Sequence, residues 1–247
     1  EGSAPVRLFD DNPASFYAAQ SGWVSQANAA PSHESGFVPA SDATQYALAP
    51  DADTLEVPFV WQGPDGVSIR RSYVFTRGSY AIQVRDTVVN AGQSPWQGHA
   101  YRQLVRLPQA LKTGWTNPES FSLYGATWFS PGQGYERVRY DDFDDEGPVN
   151  VRQTGGWLAM LQHHFFSAWI PAPTDEVTVS LHTLPGAGGA PQYLIRAVGP
   201  GLAVAPGDQA STSARLWVGP KLVGQIKAQQ VPNLDRAVDY SRFSVVA

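Results

Sequence analysis

Apolar and polar positions alternate with period two in short runs through most of the chain. Residues 67–75 place Val67, Ile69, Tyr73 and Phe75 against Ser68, Arg70 and Ser72, and a second run covers 80–85. Between them lies Thr76-Arg77-Gly78-Ser79. This spacing predicts a β-hairpin, with Gly78 at the turn position that needs positive φ. Residues 55–61 lead through Gln62-Gly63-Pro64-Asp65-Gly66 into the same hairpin, which makes a three-strand meander. Further strand runs are predicted at 99–107, 124–129, 135–140, 149–153, 157–170, 177–184, 193–198 and 211–218. About a dozen strands divided by turns, with almost no helical pattern, predict an all-β fold: an antiparallel sandwich or barrel. Alternating strands and helices, the mark of a parallel α/β sheet, are missing.

The period changes once, near the end. Past Pro220, which suits a first helical turn, Leu222, Val223 and Ile226 recur at helical spacing as far as Gln230. Pro232 interrupts, and Asn233 is placed to cap a second helix through Leu234, Ala237, Val238 and Tyr240. One structural domain is expected, in three parts. Residues 1–52 form an irregular N-terminal segment with the first strands, 53–219 the β body, and 220–247 a helical connector. The most apolar stretch, 155–170, contains Gln162, His163 and His164. It also falls short of the ~20 residues of a membrane-crossing helix.

Composition narrows the function classes. Hydrophobic residues make up 43% of the 247, enough for a sizeable core, and charged residues only 16%, which excludes a disordered tail or coiled coil. A net charge of −5 argues against nucleic acid, whose binding rests on Lys and Arg neutralising phosphates. Cysteine is absent, which removes disulfides, zinc-thiolate sites, iron–sulfur clusters and cysteine nucleophiles together. The chain starts on Glu1 rather than Met, and is expected to be an excised piece of a longer protein.

Candidate chemistry is sparse. The run Asp141-Asp142-Phe143-Asp144-Asp145-Glu146 has the oxygen ligands calcium favours but no EF-hand order, and is expected as a solvated loop. His163 and His164, adjacent in an expected strand, should point to opposite faces and so not share a metal. His33-Glu34 lacks the second histidine of a zincin motif, and no Gly-x-Ser-x-Gly elbow occurs. Gly132-Gln133-Gly134 and Gly186-Ala187-Gly188-Gly189 stand outside any strand-to-helix context. Neither an enzyme nor a cofactor is expected. Trp115, Trp128, Tyr135 and Tyr140 cluster beside the acidic run, which raises sugar stacking as an alternative to core filling.

One stretch says more. Gly155-Gly156-Trp157-Leu158-Ala159-Met160-Leu161-Gln162, followed by Phe165-Phe166-Ser167-Ala168-Trp169-Ile170-Pro171, resembles the central motif of the large periplasmic domain of the YidC family of bacterial membrane protein insertases. Three further segments are similar to that family, in its order: Phe75 to Tyr80 with Val88-Val89-Asn90-Ala91-Gly92, Leu216-Trp217-Val218-Gly219-Pro220-Lys221, and Asn233-Leu234-Asp235-Arg236-Ala237-Val238-Asp239-Tyr240. The resemblance covers about residues 53–243, and the first fifty carry no such motif.

The resemblance implies an extended β-sandwich, a supersandwich of galactose mutarotase-like type, with short C-terminal helices leading to a transmembrane segment. It implies a non-catalytic domain on the periplasmic face of the inner membrane, in a parent that inserts and folds membrane proteins. The implied partners are nascent inner-membrane proteins and Sec translocon subunits (SecDF and SecYEG). Two surfaces are expected to matter. Leu222, Val223, Ile226, Leu234 and Val238 should pack the C-terminal helices on the body and set its angle to the membrane. Trp128, Tyr135 and Tyr140 are candidate contacts in a cleft for an extended chain or Sec subunit. A periplasmic carbohydrate-binding or mutarotase-like protein of the same fold is the alternative, and a general binder of unfolded chains a third.

Overall fold

The computed structural model describes residues 7–108, 124–143, 149–186 and 189–238. Its strands are β1 (Tyr17–Val24), β2 (Val38–Pro39), β3 (Thr54–Gln62), β4 (Val67–Thr76), β5 (Ala81–Asn90), β6 (Trp96–Arg106), β7 (Gly125–Ser130) and β8 (Gly134–Arg139). They continue with β9 (Asn150–Thr154), β10 (Trp157–Leu161), β11 (Phe165–Pro171), β12 (Glu176–Pro185), β13 (Pro191–Val204) and β14 (Gln209–Pro220). A short helix, α1 (Val223–Lys227), and a 3-10 turn, Leu234–Ala237, close the described chain.

The strands form two antiparallel sheets, ordered β1-β6-β13-β12-β9 and β2-β3-β4-β5-β14-β11-β10-β7-β8. The meander predicted at 55–85 is β3-β4-β5, with Gly78 at φ 71°. The N-terminal segment contributes a full strand: β1 pairs with β6 along its whole length. Its small and polar residues, Ala18, Ala19, Gln20, Ser21 and Gly22, hide the alternation that marks the other strands.

Two corrections concern local structure. The run 157–170 is not one strand but the hairpin β10-β11, closed by the Gln162 N–H donating to the Phe165 carbonyl at 2.9 Å. His163 and His164 therefore sit in a turn with their ring centroids 4.0 Å apart, instead of on opposite faces. Pro220 is the last residue of β14, paired with Phe165, and does not open the helix. Of the acidic run, residues 144–146 lie outside the described residues, while Phe143 is buried in the core.

Packing explains why β10 and β11 read as continuous apolar runs: both faces of these strands are covered. Leu158, Met160 and Trp169 join Leu104, Val84 and Ile195 between the sheets. Trp157, Ala159, Leu161, Phe166, Ala168 and Ile170 form a second cluster on the outer face of the nine-stranded sheet. A third cluster around Trp23, Ile69, Val88 and Trp96 fills the far end. Near that end, buried Arg71 holds buried Asp86 in a fork, Nε to Oδ1 and Nη2 to Oδ2, both 2.7 Å. Trp23 Nε1 donates to Asp86 Oδ2 at 2.8 Å.

Candidate functional site

The outer apolar cluster is the seat of the C-terminal connector. Antiparallel pairing puts Trp157 and Leu161 of β10, Phe166 and Ile170 of β11 and Trp217 of β14 on one face. Ile226, Leu234 and Ala237 lie on that face and are buried, with Ile226 only 1% exposed; Val231 and Val238 pack at the margin. Burying Ile226 contributes about 1.5–3 kcal/mol toward holding α1 down.

Polar contacts fix the connector's position. Trp157 Nε1 donates to the Pro232 carbonyl at 3.1 Å, and Arg215 Nη1 donates to the Gln229 carbonyl at 2.9 Å. Burial pushes the Arg215 pKa down, and this carbonyl gives the partly buried charge an acceptor. Between α1 and the 3-10 turn the chain reverses through Gln230 at φ 54° and Asn233 at φ 57°. Asn233 thus shapes the bend and makes no side-chain cap.

The expected connector residues divide. Ile226 and Leu234 are fully buried, and Val223 and Val238 are half-buried. Leu222 does not pack: it precedes α1 in extended conformation and is 50% exposed.

The expected cleft residues are not brought together. Trp128 and Tyr140 are buried between the sheets, where Tyr140 stacks on Tyr193 at 5.3 Å. Burial also pushes the Tyr140 phenol well above its usual pKa. In this arrangement neither ring offers a face to a sugar or a partner. Tyr135 belongs instead to the connector's seat: its ring lies 5.8 Å from that of Trp157 and carries the Arg236 guanidinium at 5.3 Å. Sequence spacing does not single out Trp157, Phe166, Trp217 and Arg215 as partners of the helices. The signal available was the apolar parity of β10 and β11 on both faces at once.

Among the described residues no group of three or more His, Cys, Asp or Glu is arranged to hold a metal ion. No helix among them is long and apolar enough to cross a membrane. What the arrangement offers is a docked C-terminal segment.

Comparison with known proteins gives the context. The family model "YidC periplasmic domain" matches residues 1–247. A membrane protein insertase YidC of Xanthomonas axonopodis pv. citri is 50% identical over 247 residues, which is all of this chain and 42% of that protein. The corresponding protein of Stenotrophomonas maltophilia is 47% identical over 248 residues, 100% of this chain and 43% of its own length. The chain thus spans about two-fifths of these relatives. Similar solved structures include an α-galactosidase from Lactobacillus brevis (TM-score 0.47, 11% identity, 86% of this chain and 28% of that one). Another is a galactose mutarotase-like protein from Lactobacillus casei (TM-score 0.43, 12% identity, 70% and 73%).

Proposed function

The chain belongs to the YidC periplasmic domain family, and from that membership we propose that it is the non-catalytic periplasmic domain of a membrane protein insertase. The observation that carries this reading is the match along the whole chain to proteins named as insertases, at about half identity. In it the β body stands at the periplasmic face of the inner membrane. The domain assists the insertion and folding of membrane proteins through contacts with Sec translocon subunits and with nascent chains. The connector sets the body's angle to whatever follows residue 238. The seat supports that role, since a segment held by Ile226, Leu234, Trp157 and Arg215 transmits orientation where a free linker would not.

The test is Ile226→Asp in the full-length insertase. A carboxylate forced into the apolar seat carries a desolvation cost of several kcal/mol, which exceeds what one buried isoleucine supplies. The connector should lift while the inter-sheet core remains. The expected result is at least a threefold fall in the insertion rate of a reporter membrane protein, with the domain body still protease-resistant. Normal insertion would overturn the orienting role.

A further inference from the structure

Among the described residues four strands lie at sheet edges, and three are blunted in familiar ways. β2 has only two residues, one of them Pro39. β8 carries Glu136, Arg137 and Arg139. β9 carries Arg152, ion-paired with Glu176. β1, with the sequence Tyr-Ala-Ala-Gln-Ser-Gly-Trp-Val, has no charged residue and no proline over eight positions.

Its outward backbone groups are those of Tyr17, Ala19, Ser21 and Trp23, because alternate residues of an antiparallel strand face away from the partner. Tyr17 exchanges two 2.9 Å bonds with Asp10, and the Trp23 N–H donates to the Pro31 carbonyl at 2.7 Å. The Ser21 carbonyl accepts from Arg71 Nη1 at 3.0 Å. The Ala19 N–H, the Ala19 carbonyl and the Ser21 N–H have no partner among the described residues. Ala19 and Ser21 line a cavity of about 320 Å³, whose wall mixes Phe37, Phe59 and Tyr73 with His33, Glu34 and Arg71.

We infer that this edge takes an extended polypeptide segment as an added strand. A donor, an acceptor and a donor spaced along a strand match an extended backbone, and Phe37, Phe59 and Tyr73 in the wall suit uncharged side chains at its centre. Charge sets the flanks. Arg71 is committed to Asp86, while the Glu34 carboxylate at the rim is largely exposed, so Lys or Arg beside the docked segment fits best. The inference extends the nascent-chain part of the proposed function. Its test uses no insertase activity, so either can fail without the other.

The probe is a capped octapeptide of alternating Val and Thr with a Lys at each end, titrated into the 247-residue chain and followed by amide hydrogen exchange. Expected are saturable binding and at least tenfold slower exchange of the Ala19 and Ser21 amides. Glu in place of the peptide's Lys should weaken binding severalfold, and N-methylating its alternate amides should abolish it. Ala19→Pro removes one outward donor, which an edge strand tolerates because its ladder bonds point the other way; binding should fall at least tenfold. Should that variant not fold, the N-methylated peptide reads the same interaction. Equal binding of the methylated peptide, protection at β8 or β9 instead, no binding at millimolar peptide, or concentration-dependent self-pairing of β1 without peptide would each overturn the inference.

Discussion

His33 shows how a single residue ties an irregular segment to the sheet. The Tyr101 hydroxyl accepts from the His33 backbone N–H at 2.9 Å and lies 2.7 Å from Nδ1, to which it donates in the tautomer that leaves Nδ1 unprotonated. The His33 pKa is lowered, by burial first; Glu34 opposes the shift and Arg196 adds to it. A depressed histidine is neutral in the fold, so the unfolded chain binds the extra proton. Its contribution is then complete above about pH 6.5 and is lost as pH falls below that value. The segment around His33 should loosen on mild acidification. Corrected amide protection there should drop between about pH 6.5 and 5, while the His33→Gln variant shows no such dependence. Unchanged protection in the native chain over that range would contradict this account. Arg71 and Asp86 differ in kind. They are buried and fully paired, so they lock the β1, β4 and β5 arrangement without a large net gain, and removing one partner would cost about 3–5 kcal/mol.

At the scale of elements, the turn before β10 explains why its sequence reads Gly155-Gly156. Both residues have positive φ, 68° and 80°, and a Cβ on Gly156 would lie 2.0 Å from the Phe129 carbonyl oxygen. Gly156→Ala should destabilise the chain by at least about 2 kcal/mol. For a chain of this size that lowers Tm by roughly 5 °C or more; thermal unfolding checks it, and an unchanged Tm would contradict the backbone account. Much of the fold was legible because the apolar parity of β3, β4, β5 and β14 is clean and Gly78 marks its hairpin. β1 was not, since Ala, Gln, Ser and Gly carry no periodic signal and only pairing with β6 makes them a strand. The run 157–170 hid a hairpin because both faces of β10 and β11 are buried, which erases alternation. Ile226 and Leu234 were readable from helical spacing, whereas their seat was not. A seat joins positions from β10, β11 and β14, separated by up to sixty residues, and one-dimensional spacing does not record which strands become neighbours. Trp128 and Tyr140 drew notice as aromatics, yet in alternating strands that property marks core as readily as cleft.

For the whole molecule, the two sheets bury their core between them, and the nine-stranded sheet buries a second apolar face where residues 223–238 fold back over it. This segment is packed as part of the body, and the proposed orienting role requires that it move with the body. Amide hydrogen exchange across the connector tests this most directly. The Ile226 N–H donates to the Leu222 carbonyl at 3.0 Å and the Leu234 N–H to the Val231 carbonyl at 3.3 Å, so both amides can report. If the connector is one cooperative unit with its seat, these two amides exchange with the same opening free energy as those of β10 and β11. If they exchange at the rate of a frayed terminus while β10 stays protected, the connector is a tether and the account fails.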